Sequence, residues 1–264
     1  MRVSIIGGGN IGGAMALGMA ESGIIPASNI TVADMYQPSL DRIKVNNANM
    51  NFTTNNQEAI ADADLVIVAV KPWVAEDVIR DVAQYMDFEK QMFMTTVPGI
   101  TIKRLQEIMD KGDDIKPVVF RVMINTAISR RKSVNILSGS RNASPYKVEA
   151  VKALFNTLGK TFYAPETLQP AATSLTSCGI AFALKYLADS MTAGIEVGFT
   201  KQDSREMVIA TMEGALELLR AHNSMPEEEI KIVTTPNGLT LKGLEAMAAA
   251  GFTEAVREGV VKSV

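Results

Sequence analysis

Residues 2–13 read R-V-S-I-I-G-G-G-N-I-G-G, and this stretch decides the fold. A short apolar run at residues 3–6 leads directly into the pattern Gly7-x-Gly9-x-x-Gly12 and then into a helix-like segment. In dinucleotide-binding folds the first glycine permits a tight turn, the second lets backbone approach a pyrophosphate, and the third lets the helix pack close to the strand. The N–H groups at the helix start then face the anion. The pattern therefore predicts a strand–turn–helix unit that binds a dinucleotide.

A carboxylate about 20 residues after the glycines bears on the choice of coenzyme. Asp34 closes the second predicted strand, where it can accept hydrogen bonds from both ribose hydroxyls of NAD and repel a 2′-phosphate. A plain role in a strand-end turn is the alternative, because aspartate is common in such turns. The next arginine, Arg42, falls deep in the following predicted helix. We therefore expect NAD(P)H as the coenzyme, with a weak preference for NADH.

The composition narrows the class of protein. The chain has 264 residues, 47% hydrophobic and 21% charged, which is typical of a globular protein of one large or two modest domains. Its net charge of −3 favours neither nucleic acid nor an anionic membrane as a partner. A single cysteine and a single histidine exclude an internal disulfide and a Cys/His zinc site, so we expect no metal. The most apolar stretch, residues 175–198, is interrupted by Lys185, Asp189 and Glu196, and no signal peptide is visible. We expect a cytoplasmic protein.

Strand-like and helix-like segments alternate over residues 1–163. This alternation predicts a doubly wound parallel sheet of the Rossmann type, with helices on both faces. The predicted strands are residues 3–6, 30–33, 65–70, 91–97, 118–122 and 133–137. The segment 65–70 is apolar at every position, as a central parallel strand covered on both faces should be.

Helical periodicity replaces the strand pattern over residues 164–264, so the sequence predicts an all-α second domain. Its first predicted helix, residues 167–197, is apolar nearly all round and rich in alanine and glycine. Such a helix requires burial on several sides, which one small domain hardly supplies. We therefore expect a homo-oligomer assembled through these C-terminal helices.

Three predicted strand ends carry polar, glycine or proline residues. They are Lys71-Pro72, T-T-V-P-G at residues 95–99, and R-V-M-I-N-T at residues 121–126. In an open α/β sheet, ligands lie just beyond the carboxyl ends of the strands. The three ends therefore predict a single crevice, with Lys71 near coenzyme phosphates or substrate.

Four motifs together resemble the pyrroline-5-carboxylate reductase family. They are I-I-G-G-G-N-I-G-G at residues 5–13, A-V-K-P at 69–72, R-V-M-I-N-T at 121–126, and T-T-P-N-G-L-T-L-K-G-L at 234–244. The resemblance covers essentially the whole chain and includes the change from the α/β to the helical domain. It implies reduction of the cyclic imine 1-pyrroline-5-carboxylate to L-proline with NAD(P)H, and dimerisation through the long C-terminal helices.

The resemblance also implies roles for particular residues. The pyrophosphate would be held by Gly7, Gly9, Asn10, Ile11 and Gly12, and the adenosine would lie near Asp34 and Asn56. The nicotinamide side would be lined by Ala69, Val70, Lys71, Val97 and Asn125. The small carboxylate substrate would be bound by Cys178, Thr235, Asn237, Gly238, Leu239 and Thr240. Thr240 would act catalytically through a hydrogen bond to the ring nitrogen, whereas from the residues alone a helix N-cap is its usual role.

Several positions depart from the family's motifs. Pro236-Asn237-Gly238 stands where the family has Pro-Gly-Gly, residues 176–182 read T-S-C-G-I-A-F in place of S-G-S-G-P-A-Y, and residues 124–127 read I-N-T-A in place of P-N-T-P. Ala188 stands where an acidic residue is usual. These departures leave two alternatives open: a reductase of the same architecture acting on a different small imine or keto acid, and a dinucleotide-binding regulator without turnover.

The single histidine invites a catalytic interpretation. His222 falls at a predicted helix end, where cations are favoured for electrostatic reasons alone. We therefore predict a surface role for His222 and no part in proton transfer.

Overall fold

The computed structural model describes residues 1–112 and 114–264, which form two compact units, Met1–Ser177 and Cys178–Val264. The predicted division at residues 163/164 marks the end of the last strand. The N-terminal unit continues to Ser177 because hydrogen bonds attach residues 166–177 to the sheet, among them Arg121 Nη1 to Glu166 Oε1 at 2.6 Å and Asn125 Nδ2 to the Thr176 carbonyl at 3.0 Å.

The N-terminal unit is an eight-stranded sheet flanked by helices. Its strands are β1 Val3–Ile6, β2 Ile30–Ala33, β3 Asn51–Thr53, β4 Leu65–Val68, β5 Met92–Thr95, β6 Val118–Met123, β7 Ser133–Gly139 and β8 Gly159–Tyr163. Its helices are α1 Asn10–Ser22, α2 Gln37–Asn46, α3 Asn56–Ile60, α4 Pro72–Tyr85, α5 Ile102–Ile108, α6 Pro145–Asn156 and α7 Gln169–Thr173. The strand order is β3-β2-β1-β4-β5-β6-β7-β8, and its first six strands have the Rossmann order. The predicted fold class is confirmed.

Two aspects of the sheet differ from the sequence prediction. First, β7 runs antiparallel to β6, because the connection at residues 124–132 is too short for the crossover that parallel strands require. Second, β3 and β8 were not predicted. β3 is a three-residue edge strand, and β8 (G-K-T-F-Y) buries only Thr161, so neither shows an apolar run.

Each face of the sheet carries its own hydrophobic core. The core on one face joins β1 to α1, α2 and α6, and the core on the other joins β4 to α3, α4 and α5. All four residues of β4 are buried, as expected of a central parallel strand. Because β1 to β6 are parallel, the carboxyl ends of six neighbouring strands meet at one edge of the sheet.

The chain enters the helical unit through an irregular helix. Residues 166–168 are 3₁₀, α7 follows, and Ser174–Cys178 form a π-helical turn, so the predicted single helix over 167–197 is divided into segments. The C-terminal unit then contains α8 Gly179–Glu196, α9 Lys201–His222, α10 Pro226–Ile232, α11 Leu239–Ala249 and α12 Phe252–Val261. Gly198 has φ +107° and Thr200 caps α9, and together they separate α8 from α9 as predicted.

The C-terminal unit buries little of its apolar surface within one chain. No described residue of α8, α11 or α12 is buried, and in α9 only Ser204 is. Leu184 of α8 remains 58% exposed, and large apolar side chains of the neighbouring helices are exposed as well. Among the described residues, one helical segment, 166–196, is long and apolar enough to cross a membrane by length and composition alone. The same exposed apolar surface is what a subunit interface requires.

Candidate functional site

The turn after β1 is shaped by close contacts with both neighbouring strands. Gly7 has φ +107°, a backbone conformation that favours glycine, and its N–H donates to the Ala33 carbonyl at 2.7 Å. A Cβ at Gly7 would lie 2.6 Å from the Ala69 carbonyl oxygen, so a side chain is excluded there. The first glycine therefore places the loop against the ends of β2 and β4.

The start of α1 is arranged to receive an anion. Gly9 is its N-cap residue, and among the described residues no side chain caps this helix end. A Cβ built at Gly9 would meet no described atom within 4 Å, so the backbone there borders open space. The first N–H groups of a helix lack intrahelical partners and attract negative charge. The backbone at the start of α1 is therefore open to an anion, whereas Gly12 packs against Gly7, whose carbonyl oxygen is 1.8 Å from the position of a Gly12 Cβ.

Asp34 bridges the glycine turn and the end of β2. Its Oδ2 accepts the N–H of Gly8 at 2.8 Å and its Oδ1 accepts the N–H of Tyr36 at 2.9 Å. The bond to Tyr36 is the strand-end turn that the sequence offered as the alternative. A carboxylate has about four lone-pair sites, so Asp34 retains acceptor capacity for a ribose. The two roles are compatible.

Arg42 lies in the middle of α2, as expected, yet its side chain reaches the glycine turn. Its Nη2 donates to the Gly8 carbonyl at 3.1 Å and its Nη1 donates to Asn10 Oδ1 at 3.2 Å. Arg42 is distant from the glycine turn along the chain. Packing of α2 beside α1 nevertheless brings its long side chain back to that turn. One argument for NADH over NADPH, the absence of a nearby arginine, is therefore wrong.

A cavity of about 350 Å³ lies between α1 and α2 beside the glycine turn. Its lining includes Asn10, Leu17, Glu21, Arg42 and Arg131. This cavity could not be predicted from local patterns, because its walls come from three segments that are distant along the chain.

The ends of β4 and β5 lie side by side, as predicted for a common crevice. Thr95 Oγ1 donates to the Val68 carbonyl at 2.9 Å, and the Ala69 N–H donates to the Ile6 carbonyl at 2.8 Å. Lys71 is exposed at the N-cap of α4, with its Nζ 5.9 Å from the centroid of the Trp73 ring. Val97 is only 2% exposed, and its N–H donates to Thr95 Oγ1 at 3.1 Å.

The two predicted asparagines differ in their surroundings. Asn56 is the first residue of α3, and its neighbour Asn55 caps that helix by accepting the N–H groups of Gln57 and Glu58. Asn125 is buried, and its side chain is engaged within the protein, with Oδ1 accepting from the Ala127 N–H and Nδ2 donating to the Thr176 carbonyl. Sequence reasoning missed this engagement.

In the C-terminal unit, a tight turn precedes α11. The Gly238 N–H donates to the Thr235 carbonyl at 2.9 Å, with Pro236 second in the turn and Asn237 third at φ +61°. This is the pattern of a type II turn, whose third position requires positive φ. Asparagine tolerates that region better than most residues, so Asn237 can replace the family's glycine without changing the turn. A Cβ at Gly238 would lie 2.4 Å from Thr235 Oγ1.

Gly238, and not Thr240, is the N-cap of α11, and no described side chain caps that helix end. The N-cap role that residue type suggests for Thr240 is therefore wrong, because the helix already begins at Leu239. Thr240 is exposed, and none of the described residues forms a hydrogen bond with its hydroxyl. Cys178 is a partly buried free thiol at the end of the π-helical turn.

His222 is the last residue of α9, as its sequence position indicated. Its Nδ1 lies 2.8 Å from Glu229 Oε1, which also accepts the Ser224 hydroxyl. The hydrogen bond from Ser224, and then that from His222, lowers the pKa of Glu229. Within residues 1–112 and 114–264, no cluster of three or more His, Cys, Asp or Glu side chains is suited to a metal ion.

Two family models match parts of the chain. Residues 166–264 match the family model described as pyrroline-5-carboxylate reductase dimerisation, and residues 2–95 match that described as NADP oxidoreductase, coenzyme F420-dependent. The first match supports a homo-oligomer, as expected from the exposed apolar helices.

Individual relatives cover almost the entire chain. Pyrroline-5-carboxylate reductase 1 of Dictyostelium discoideum is 32% identical over 99% of this chain, although the chain spans only 48% of that relative's length. Pyrroline-5-carboxylate reductase 2 of Bacillus subtilis is 28% identical over 97% of this chain and 90% of its own. The crystal structure of Plasmodium falciparum pyrroline carboxylate reductase with NADP bound superposes with a TM-score of 0.85 at 22% identity, covering 100% of this chain and 95% of that one.

Proposed function

This chain belongs to the pyrroline-5-carboxylate reductase family, and we propose that it catalyses the NAD(P)H-dependent reduction of 1-pyrroline-5-carboxylate to L-proline. The proposal depends on one observation, which concerns how the N-terminal ends of α1 and α11 are formed. Each begins after a glycine in extended conformation, Gly9 or Gly238, and no described side chain caps either helix. The starts of α2, α4 and α12 also lack a side-chain cap, but α2 and α4 carry a proline in the first turn, and the residue before α12, Gly251, is in the left-handed conformation. Free N–H groups at a helix start suit an anion, here a pyrophosphate at α1 and a substrate carboxylate at α11.

In the N-terminal unit, the glycine turn and the first turn of α1 would hold the pyrophosphate. Asp34 would bind the adenosine ribose, and Asn56 would lie near the adenosine. Residues 69–71, Val97 and Asn125 would border the nicotinamide side of the coenzyme. When bound, the reduced nicotinamide supplies the hydride that adds to the imine carbon.

In the C-terminal unit, residues 235–239 would bind the substrate carboxylate through the backbone N–H groups at the start of α11. The Thr240 hydroxyl, one residue into the helix, would hydrogen-bond the ring nitrogen, which gains a proton as its carbon gains the hydride. A positioned hydrogen bond of this kind orients the imine for attack, and orientation is the main contribution that the protein makes to such a reaction.

We also propose a soluble, cytoplasmic protein that binds neither nucleic acid nor membrane. The apolar surface of residues 166–196 would then be buried in the homo-oligomer. The dimerisation match over residues 166–264 supports this assignment, because it includes the whole of that surface.

The departures at residues 176 and 177 are compatible with the proposed substrate. The Thr176 carbonyl accepts from Asn125, and the Ser177 hydroxyl donates to the Ile124 carbonyl at 3.3 Å. Both residues are therefore used in holding the chain in place. A changed substrate preference would then originate at the other departures, among them Cys178 and Asn237.

The test is oxidation of NADPH and NADH by the purified protein with 1-pyrroline-5-carboxylate as substrate. Coenzyme binding is followed separately by thermal shift and by the fluorescence of Trp73, the single tryptophan. Thr240→Val should lower kcat/KM at least about tenfold, the worth of one hydrogen bond to a reacting group. Thr234→Val is the matched control, because the Thr234 hydroxyl donates to the Ile230 carbonyl in the last turn of the preceding helix, α10.

The alternatives give different results in the same assay. Tight coenzyme binding without turnover of 1-pyrroline-5-carboxylate would support a regulator. Faster turnover of another cyclic imine or of a 2-keto acid would support a reductase with a different substrate. Absence of any binding of either coenzyme would contradict all three functions.

A further inference from the structure

The carboxyl end of β6 holds the irregular helix at residues 166–177 at two places. At the beginning of that helix, Arg121 Nη1 lies 2.6 Å from Glu166 Oε1 in an ion pair whose arginine side chain is only 9% exposed. At its end, Asn125 Nδ2 donates to the Thr176 carbonyl at 3.0 Å, and the Ser177 hydroxyl donates to the Ile124 carbonyl. All of these contacts lie within the N-terminal unit.

Asn125 is engaged through its side chain and its backbone. Its Oδ1 accepts from the Ala127 N–H at 3.1 Å while its Nδ2 donates to Thr176. Its backbone N–H donates to Ser133 Oγ, and its carbonyl accepts from the Ile128 N–H. Asn125 is only 6% exposed, and its hydrogen bonds are made to neighbouring residues of the protein. Its side chain therefore holds those neighbours in place and has little capacity left for a ligand.

The segment that Asn125 holds is unusual. Thr176 lies in the π-helical turn Ser174–Cys178, and single π-turns occur frequently at functional sites. A π-turn replaces the regular i→i+4 backbone hydrogen bonds by the rarer i→i+5 bonds, and hydrogen bonds from outside the helix, such as that from Asn125, add to them. The turn ends at Cys178, and α8 continues the chain from there.

We propose that Asn125 is a positioning residue, whose amide fixes the π-helical turn at Thr176 and thereby the backbone that leads into Cys178. The proposal rests on the proposed function, because Cys178 belongs to the residues assigned to the substrate. It gives Asn125 a role in substrate binding in place of direct side-chain contact with the coenzyme.

The proposal predicts that only an amide at position 125 can both accept from the Ala127 N–H and donate to the Thr176 carbonyl. Serine would still cap the 3₁₀ helix by accepting the Ala127 N–H, but it is too short to reach the Thr176 carbonyl. Ionised aspartate would accept from Ala127 but would direct a lone pair towards Thr176. Protonated aspartate has one O–H donor and would restore the bond.

The experiment compares Asn125→Ser and Asn125→Asp with the wild-type oligomer. Both variants should raise KM for 1-pyrroline-5-carboxylate about tenfold or more, with the Kd of NADPH changed less than about threefold. As the pH falls from 8 to 5.5, Asn125→Asp should recover relative to wild type, since burial raises the pKa of a carboxyl group. Asn125→Ser should not recover.

Asn135→Asp is the matched control. Asn135 is also buried and donates through Nδ2 to a backbone carbonyl, that of Phe155 at 2.9 Å, but it belongs to β7 and takes no part in holding residues 166–177. It should lower the melting temperature without changing KM. If Asn125→Asp does not fold, Asn125→Ser still tests the proposal, because it retains the cap.

A second measurement separates failure of this proposal from failure of the proposed function. Hydrogen–deuterium exchange of the amides of residues 174–178 should be at least tenfold faster in Asn125→Ser than in wild type, whichever substrate the protein turns over. Unchanged exchange would overturn the proposal. Weakened NADPH binding with an unchanged KM would overturn it as well, because that result makes Asn125 a coenzyme ligand.

Discussion

The backbone of Gly7 leaves no space for a side chain at Gly12: a Cβ there would lie 1.8 Å from the Gly7 carbonyl oxygen. At Gly9, in the same turn, a Cβ would meet no described atom within 4 Å. Packing within the protein thus requires a glycine at position 12, whereas the surroundings of position 9 leave space for a side chain.

This contrast predicts opposite phenotypes for two alanine substitutions. Gly12→Ala should destabilise the protein by about 3 kcal/mol or more, because overpacking against backbone cannot relax. Gly9→Ala should leave the melting temperature nearly unchanged and raise the Kd of both coenzymes about tenfold or more, because the new methyl occupies the approach to the pyrophosphate. Thermal denaturation and coenzyme titration measure the two effects. Equal destabilisation by both changes would contradict this division of roles.

Arg42 is predicted to affect NADPH more than NADH. Its guanidinium group is exposed and held at the glycine turn by the Gly8 carbonyl and Asn10, close to where Asp34 ends β2. Arg42→Ala should weaken NADPH binding about tenfold, the worth of a charge-assisted hydrogen bond, with a smaller effect on NADH. Arg80→Ala in α4 is the control, because Arg80 pairs with Asp77 on the outer surface. An equal loss of affinity for NADPH and NADH would contradict this prediction. It would show that Arg42 only holds the glycine turn in its conformation.

The exposed apolar surface of α8 is predicted to hold the oligomer together. Leu184→Asp should shift the protein to monomers in size-exclusion chromatography with light scattering, because a charge cannot be buried unpaired in an interface. Tyr146→Asp in α6 makes a similar change at a residue that is 84% exposed on the N-terminal unit, and it should leave the oligomer intact. An unchanged oligomer in Leu184→Asp would place the interface elsewhere.

His222 is predicted to be dispensable for the reaction. His222→Ala should keep activity within a few-fold of wild type, because the imidazole is bonded to Glu229 at a helix end. A hundredfold loss of kcat would show that the proposed site is incomplete.

The same variant has a defined consequence for pH dependence. The pKa of Glu229 is lowered by hydrogen bonds from Ser224 and then His222. A lowered folded-state pKa means that the contribution to stability is present above the unfolded pKa and is lost as pH falls through the folded one. Removing His222 should therefore raise the pKa of Glu229 towards its ordinary value. Carboxyl titration by NMR checks this, with Ser224→Ala expected to cause the larger rise.

Much of the architecture could be predicted from local patterns. The run at residues 3–12 specified β1, the glycine turn and α1, because glycine placement and apolar periodicity are properties of neighbouring residues. The short edge strands β3 and β8 could not be predicted in this way. Each is formed by pairing with a strand distant in sequence, such as β8 with β7.

The features of the candidate site likewise fall into those that local sequence patterns predict and those that only the folded chain shows. By itself, the sequence determined the glycine turn, the acidic residue that closes β2, the positive φ required at position 237, and an apolar helix too exposed for one chain. Two features are visible only in the folded chain: the side chain of Arg42 returns to the glycine turn, and the Asn125 amide donates to the Thr176 carbonyl. The physical reason is range: propensity and periodicity act between neighbours, whereas these hydrogen bonds join residues 34 and 51 positions apart.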